Sequence, residues 1–301
     1  MTLVAKQIHY TSLLFPLLPP NLFRLINDSY DVVYHKLVDA RIHYRNAMHM
    51  PINSRKHSKY VDGALYTKLF EENVEYIRLC PGDYLNIAVT LEDGSQTTIN
   101  IFREPIPKHN EHLMNCRNLG IFLKDCQANT ARRNRRDLGK MFILGCNKLG
   151  NGTIGNIKLT EKKGMSPLLR KVILSSNNYY SDLGFDKVIR SIASKRKYKN
   201  HHLMRGSFVS SIVCSVNLIN SSHLDVYDTT MSVVTWTTDF EGEVLGWYFI
   251  FPNLTCDGEK CLVLEIQDGV SIIWDAAKIH HCSTRLGDGC NYNSFGTYFG
   301  A

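Results

Sequence analysis

Two histidines and an aspartate are the residues of this chain whose types and spacing predict metal chemistry. His223 and Asp225 form an H-x-D pair, and His280-His281 follow close to the C-terminal end. In an extended segment, residues two apart point to the same face, so one ion can contact both His223 and Asp225. Two histidines and one carboxylate on one face of an ion, with the other positions open, are typical of non-haem Fe(II) sites. The pattern therefore predicts an Fe(II) site completed by a histidine from another strand.

Only one of the two neighbouring histidines can be the third ligand, because adjacent residues on a strand point to opposite faces. The residues alone leave both His280 and His281 open for this role. The histidine that does not bind the ion then faces the other surface of the sheet or donates a hydrogen bond to a ligand.

Short strands are predicted around these candidates. From about residue 207, apolar and β-branched runs alternate with turns rich in Gly, Asp and Asn. Short strands at close, regular spacing indicate a β-sandwich or a barrel. The predicted strands are 207–218, 226–237, 247–251, 262–266, 270–274, 278–283 and 292–299.

The preceding part of the chain is predicted to mix helices and strands, which makes the fold α+β. Residues 1–50 are expected to be mainly helical, and alternation over residues 84–103 predicts a hairpin. Further helices are expected after Ser166-Pro167 and around residues 186–193. The expected domains are an N-terminal α+β extension, residues 1–130, and a β core, residues 131–301, with its metal-binding part at 207–301.

Positive charge is concentrated in two clusters. The formal net charge is +7, and dense basic clusters can contact the phosphates of nucleic acids. Taken alone, each cluster is equally well interpreted as a solvated basic loop. The first consists of Arg132, Arg133, Arg135 and Arg136, and the second of Lys195, Arg196, Lys197 and Lys199. Because both precede the candidate metal ligands, we predict DNA or RNA as a partner.

No membrane association is expected. The apolar run at residues 13–20 is broken by prolines and is too short to span a bilayer. It also lacks the basic region and cleavage site of a signal peptide. Nine cysteines at irregular spacing form no zinc pattern, so we expect free thiols in a reducing compartment. The protein is therefore expected to be intracellular, nuclear or cytoplasmic, while its oligomeric state is not indicated.

The C-terminal third resembles the Fe(II)/2-oxoglutarate-dependent dioxygenases. Four segments match their H-x-D strand, an aromatic strand, a Gly-initiated strand ending in Trp, and the distal histidine. These segments are Ser222–Asp225, Gly246–Asn253, Asp268–Trp274 and Ile279–Ser283. The aromatic segment is most similar to the nucleic-acid-modifying branch related to the thymine and methylcytosine hydroxylases. The resemblance implies that the core is a double-stranded β-helix, or jelly roll.

The resemblance also implies roles for single residues. His223, Asp225 and His281 become the catalytic metal ligands, with His281 preferred over His280 because its distance from Trp274 is family-like. The implied cofactors are Fe(II), 2-oxoglutarate as co-substrate, and O₂. The chain departs from the family at the co-substrate carboxylate, which most members bind with an Arg or Lys ten or more residues after the distal histidine.

The only cation that follows His281 is Arg285, four residues on. A guanidinium suits the two-pronged binding of a carboxylate, so Arg285 is the candidate co-substrate anchor. Two alternatives are a basic residue from an earlier strand and a co-substrate other than 2-oxoglutarate.

These features predict an oxidoreductase that hydroxylates or oxidises a nucleic-acid base such as a methylated pyrimidine. A base in duplex DNA would have to be extruded into the site. The first alternative is a non-catalytic nucleic-acid-binding module on a degenerate β-helix scaffold. The second is a hydroxylase that acts on a protein or a small molecule.

Overall fold

The computed structural model describes most of the chain from residue 78 onward. The described residues are 24–25, 78–90, 95–127, 139–148, 154–156, 158–161, 164–195, 207–218, 220–225, 228, 231–244, 247–256, 260–283 and 292–300. The helices expected in residues 1–50 lie outside these ranges.

The described residues form thirteen strands. In chain order they are β1 (Arg24–Leu25), β2 (Asp83–Thr90), β3 (Gln96–Arg103), β4 (Lys140–Lys148), β5 (Ile154–Asn156), β6 (Ser211–Val216), β7 (Asn220–His223), β8 (Ser232–Thr238), β9 (Tyr248–Cys256), β10 (Lys260–Glu265), β11 (Val270–Trp274), β12 (His281–Ser283) and β13 (Ser294–Phe299).

These strands form two sheets. The larger has the order β1-β2-β3-β11-β8-β13-β6-β4-β5, and the smaller has the order β10-β9-β12-β7. All pairs are antiparallel except β1 with β2. The fold is thus a mixed α and β structure built on antiparallel sheets, as the α+β prediction requires.

Three helices accompany the larger sheet: α1 (Glu111–Lys124), α2 (Met165–Asp182) and α3 (Asp186–Lys195). The side chain of Asn110 begins α1 by accepting a hydrogen bond from the Leu113 N–H at 3.1 Å. Gly120 lets α1 lie close to β13, since a Cβ there would be 2.3 Å from the Phe295 ring. Two of these helices, α2 and α3, confirm the predictions for residues after Ser166-Pro167 and around 186–193.

The core has two parts. One lies between the helices and the larger sheet and contains large buried side chains such as Tyr180 and Phe299. The other lies between the two sheets, where Trp236 and Trp274 of the larger sheet meet Phe249 and Phe251 of the smaller one. The face-to-face packing of two sheets follows from the apolar inner face that each must bury.

The predicted hairpin at residues 84–103 is confirmed as β2 and β3, with Tyr84 opposite Phe102. Its strand β3 also pairs with β11, where Ile101 lies opposite Ile272. Strands from both sides of the expected boundary at residue 130 therefore belong to one sheet. The hairpin joins the core because Leu85, Ile99 and Ile101 are buried on one face.

In the described part of the chain, no helix is long and apolar enough to cross a bilayer. Three of the expected thiols, Cys80, Cys116 and Cys214, are present as free cysteines.

Candidate metal centre

His223 and His281 meet because two short strands of the smaller sheet pair with each other. Strand β12 runs antiparallel to β7, and His281 lies directly opposite His223. Their ring centroids are 4.3 Å apart. The pairing brings together two side chains that are remote in sequence and leaves both at the end of the sheet where β7 stops.

Asp225 occupies a turn rather than a strand. The extended segment expected for the H-x-D pair stops short of Asp225, because β7 ends at His223. The Asp225 N–H donates to the Ala276 carbonyl at 2.9 Å, and the Asp225 carbonyl accepts from the Asp228 N–H at 2.8 Å. These backbone bonds turn the chain after His223, and they hold Asp225 against the segment that leads into β12.

The three side chains form a compact set of potential ligand atoms. His223 Nε2 is 3.5 Å from Asp225 Oδ1, and His281 Nε2 is 3.4 Å from Asp225 Oδ2. One donor atom from each residue lies within 4.8 Å of the others, and no other group of this kind is found among the described residues. His281, not its half-buried neighbour His280, is the histidine that the structure brings to this group.

His281 is held in the form that a metal requires. Its Nδ1 lies 3.1 Å from the Ile279 carbonyl, which can only accept, so Nδ1 carries the proton. This leaves Nε2 as the nitrogen that faces Asp225, where it can donate a proton to the carboxylate or bind a cation in place of that proton. The residue is buried, and its ring packs against Trp274 and Phe249 at centroid distances of 5.0 and 5.7 Å. Such support of a ligating histidine fixes its tautomer and orientation.

His223 is more accessible and has a local polar partner. The Asn220 amide nitrogen lies 3.2 Å from His223 Nε2. As an amide NH₂ can only donate, Nε2 accepts this bond and is unprotonated. A cation at Nε2 takes the place of the Asn220 hydrogen bond.

Asp225 provides negative charge between the two imidazoles. Burial by itself raises the pKa of Asp225, because it disfavours the charged form. The hydrogen bond with His281 and the positive charge of the two imidazoles, when these are protonated, outweigh burial and lower the pKa to about 2. The carboxylate is therefore ionised at neutral pH, which a divalent cation requires of its ligand.

Tyr298 contacts the Asp225 carboxylate from the larger sheet, and Asp228 in turn contacts Tyr298. No sequence pattern predicted either contact. The Tyr298 hydroxyl donates to Asp225 Oδ2 at 2.9 Å, and it also contacts Asp228 Oδ2. Ser232 donates to the same Asp228 oxygen at 2.5 Å. Burial raises the pKa of Asp228 to about 6 and that of Tyr298 well above its ordinary value. The one available signal was a tyrosine within the largely buried strand β13.

Most of the other predicted functional residues lie outside the described part of the chain. Lys195 is the exception, since it ends α3. Burial raises the pKa of Asp275, in the turn between β11 and β12. The positive charges of Lys278 and Lys195 offset this only in part. The predicted residues outside the described ranges are Arg132, Arg133, Arg135, Arg136, Arg196, Lys197, Lys199 and Arg285.

No family model matches the chain, and no curated protein matches it. Solved structures with a similar backbone include NgTET1 in complex with 5mC DNA, with a TM-score of 0.48, 13% identity, and coverage of 82% of this chain and 91% of that chain. A 2OG-Fe(II) oxygenase family oxidoreductase from Burkholderia pseudomallei matches with a TM-score of 0.26 and 15% identity, over 71% of this chain and 72% of that chain.

A third similar structure is a bsmA homolog from Methylobium petroleophilum PM1, with a TM-score of 0.30 and 11% identity, over 64% of this chain and 85% of that chain. At these TM-scores the likenesses are remote. The chain resembles the 2-oxoglutarate and Fe(II) oxygenases in sequence, and the solved structures similar to it include an oxidoreductase of that family.

Proposed function

We propose that this protein is a non-haem Fe(II)- and 2-oxoglutarate-dependent dioxygenase with a double-stranded β-helix core. The observation that carries the proposal is the meeting of His223, Asp225 and His281, with one donor atom of each within 4.8 Å of the others. Two imidazoles and one carboxylate are the donor set that suits Fe(II) while leaving positions open. The residues therefore fit the metal that the sequence resemblance implies.

Each of the three residues has a defined task in this proposal. His281 and His223 would bind the metal through Nε2, and Asp225 would supply the negative charge. When bound, Fe(II) supplies the oxidising chemistry together with 2-oxoglutarate and O₂. Trp274 and Phe249 exclude water from the buried side of the site, where their rings cover His281.

We also propose that Arg285 binds the distal carboxylate of 2-oxoglutarate. Strand β13, where the related enzymes carry their cation, contains neither Lys nor Arg over Ser294–Phe299. Arg285 follows β12 by two residues. Arg285 lies four residues after His281 in sequence, and it is the only Lys or Arg that follows His281.

We propose a nucleic-acid base, such as a methylated pyrimidine, as the substrate. The support is the sequence resemblance to the nucleic-acid-modifying branch together with the second basic cluster of the sequence. Lys195 begins that cluster, and its charge acts on Asp275 in the turn that leads to His281. Lys195 and the basic residues that follow it would contact the phosphates on either side of a target base. With such a substrate, we propose that the protein is intracellular and acts in the nucleus or the cytoplasm.

Anaerobic titration with Fe(II), followed by measurement of succinate release from 2-oxoglutarate, tests the proposal. The parent should bind about one Fe(II) per chain. Asp225→Ala should lose most of that affinity and all turnover while keeping its circular dichroism spectrum. Asp182→Ala is the matched control, since Asp182 is an exposed carboxylate at the end of α2.

A parent that binds no Fe(II), or an Asp225→Ala variant that binds it as the parent does, would overturn the proposal. The second candidate, a nucleic-acid-binding module without catalysis, is favoured by the absence of Lys and Arg from β13. Salt-sensitive DNA binding without metal binding or succinate release would support that module instead.

A further inference from the structure

Tyr298 connects the candidate metal centre to the larger sheet. It lies on β13, which pairs with β8 and β6, whereas His223 and His281 belong to the smaller sheet. The Tyr298 hydroxyl is 2.9 Å from Asp225 Oδ2, and the edge of its ring meets Trp274 at a centroid distance of 5.9 Å. Tyr298 thus reaches across the interior of the fold to one carboxylate of the site.

A second carboxylate holds the same hydroxyl. Tyr298 contacts Asp228 Oδ2, and Ser232 donates to that oxygen at 2.5 Å. A phenol has one proton, so Tyr298 donates to one carboxylate at a time while lying within reach of both. Because Ser232 is fully buried at the start of β8, the far end of this chain of contacts is anchored in the core.

The end of β13 is shaped to admit Asp228. Gly300 is on the same face as Tyr298, because residues two apart on a strand share a face. A Cβ at Gly300 would lie 2.6 and 2.8 Å from the two Asp228 carboxylate oxygens and 2.9 Å from the Tyr298 ring. A side chain at position 300 would therefore push Asp228 away from Tyr298 without removing any polar group.

Asp225 needs such support because its backbone lies in a turn after β7. Its side chain is about a third exposed, and both imidazoles approach it at 3.4 to 3.5 Å. A carboxylate that is free to rotate would present its oxygens to a cation in several orientations. The bond from Tyr298 restricts this rotation and leaves Asp225 Oδ1, on the side of His223, open to a cation.

We propose that Tyr298 is a positioning residue that orients the Asp225 carboxylate for metal binding, and that Asp228 and Ser232 hold Tyr298 in place. This inference rests on the proposed function, since it assigns Asp225 as a metal ligand. Hydrogen-bond partners of metal ligands change metal affinity by about 10- to 100-fold when they are removed. Tyr298 and Asp228 act through Asp225 and need not touch the substrate.

Titration with Co(II) tests the role of Tyr298 without requiring turnover, because the visible absorption of bound Co(II) reports both affinity and coordination geometry. Tyr298→Phe removes only the hydroxyl. It should weaken Co(II) binding about 10- to 100-fold and shift the absorption bands of the bound ion. The matched control is Tyr292→Phe, at a tyrosine whose ring stacks on Phe240 at 4.8 Å. That variant should bind Co(II) as the parent does.

A double-mutant cycle tests whether Asp228 acts through Tyr298. Asp228→Asn and Tyr298→Phe should each weaken Co(II) binding, and the double variant should be little worse than Tyr298→Phe alone. Gly300→Ala should reproduce part of the loss with all polar groups retained. If Tyr298→Phe does not fold, as judged by circular dichroism, Co(II) titration of Asp228→Asn and Gly300→Ala tests the inference instead.

Co(II) affinity and absorption unchanged in Tyr298→Phe would overturn the inference while leaving the metal site intact. Additive losses in the double variant would show that Asp228 does not act through Tyr298. A parent that binds no Co(II) would instead remove the proposed function, and this inference with it.

Discussion

His281 lies directly opposite His223 in the antiparallel pairing of β12 with β7, and their ring centroids are 4.3 Å apart. The two histidines differ in their surroundings, since the His281 side chain is 5% exposed and that of His223 is 25% exposed. One histidine is therefore fixed within the core, and the other stands at its edge. A cation bound between them would be accessible from the His223 side.

The adjacent histidines should differ sharply in metal binding. His281→Ala removes the imidazole whose Nε2 is 3.4 Å from Asp225 Oδ2, so it should abolish stoichiometric Fe(II) binding. His280→Ala changes a half-buried residue outside this group and should keep Fe(II) binding close to that of the parent. Anaerobic Fe(II) titration of both variants measures the difference. The opposite pattern would mean that the register of β12 is shifted by one residue.

The meeting of His223 with Asp225 could be predicted from sequence because the two residues are local. His223 and Asp225 are two residues apart, and this spacing is sufficient to suggest a shared ion. Their backbone was predicted less well, because the strand ends at His223 where Ala276 and Asp228 bond to the Asp225 backbone. Those bonds depend on a distant segment, and no local pattern indicates them.

The support around Asp225 could not be predicted from sequence. Tyr298 reaches Asp225 only because β13 lies next to β8 in the larger sheet while the two sheets face each other. Contacts of this kind are set by the packing of one sheet on the other, whereas alternation and turn signals are sufficient to predict the β2–β3 hairpin.

A glycine in the turn between β10 and β11 should be essential for stability. Gly269 has a φ of 80°, and a Cβ there would lie 2.8 Å from Pro107 and 3.1 Å from Leu113. Gly269→Ala should therefore combine the left-handed penalty of about 1–2 kcal/mol with an overpacking cost of about 1–3 kcal/mol. Urea unfolding measures the loss.

The matched control for this substitution is Gly82→Ala. Gly82 also has a left-handed φ, of 88°, but the closest atom to its Cβ position is 3.6 Å away. This variant should show the conformational penalty alone. Equal losses in the two variants would mean that the Pro107 ring moves aside without cost.

Acid should destabilise the protein through a buried histidine that does not belong to the candidate metal centre. His112 lies on α1 and faces α2, where its Nδ1 is 3.2 Å from the Ser175 hydroxyl. Burial lowers the pKa of His112 to about 3. The unfolded chain binds a proton near pH 6.5, and the folded protein does not. The free energy of unfolding should therefore fall, through this residue, by up to about 1.4 kcal/mol per pH unit between pH 6.5 and 3.

Urea unfolding of the parent and of His112→Gln between pH 7 and pH 5 measures this dependence. The variant should be less stable at pH 7 but should lose stability less steeply as the pH falls. His109→Asn, at an exposed histidine in the same region, should keep the slope of the parent. A slope unchanged in His112→Gln would assign the acid sensitivity to other groups.

The co-substrate requirement should depend on Arg285. Arg285→Ala should raise the KM for 2-oxoglutarate about 10- to 150-fold, because a carboxylate loses a charge-assisted hydrogen bond of roughly 1.5–3 kcal/mol. Fe(II) binding should be unchanged, which separates loss of the anchor from damage to the metal site. Arg170→Ala removes an exposed arginine of α2 and should leave the KM unchanged. A normal KM in Arg285→Ala would place the anchor on another strand.

The basic segment after α3 should determine how salt affects nucleic-acid binding. Replacing Lys195, Arg196, Lys197 and Lys199 with Ala removes a cluster whose first member acts electrostatically on Asp275. If these residues contact phosphates, binding should weaken similarly for all sequences. The slope of log K against log salt should flatten by about 0.7–0.9 for each lost contact.

Fluorescence anisotropy with single- and double-stranded DNA over a range of salt concentrations measures this slope. Arg170→Ala combined with Lys171→Ala removes two exposed charges of α2 and should leave the slope unchanged. Turnover on a free nucleoside, where it occurs, should be the same in the cluster variant and the parent, because a nucleoside has no phosphate to bind. If the parent has no measurable affinity for DNA or RNA at low salt, the nucleic-acid assignment is wrong, and a protein or small-molecule substrate takes its place.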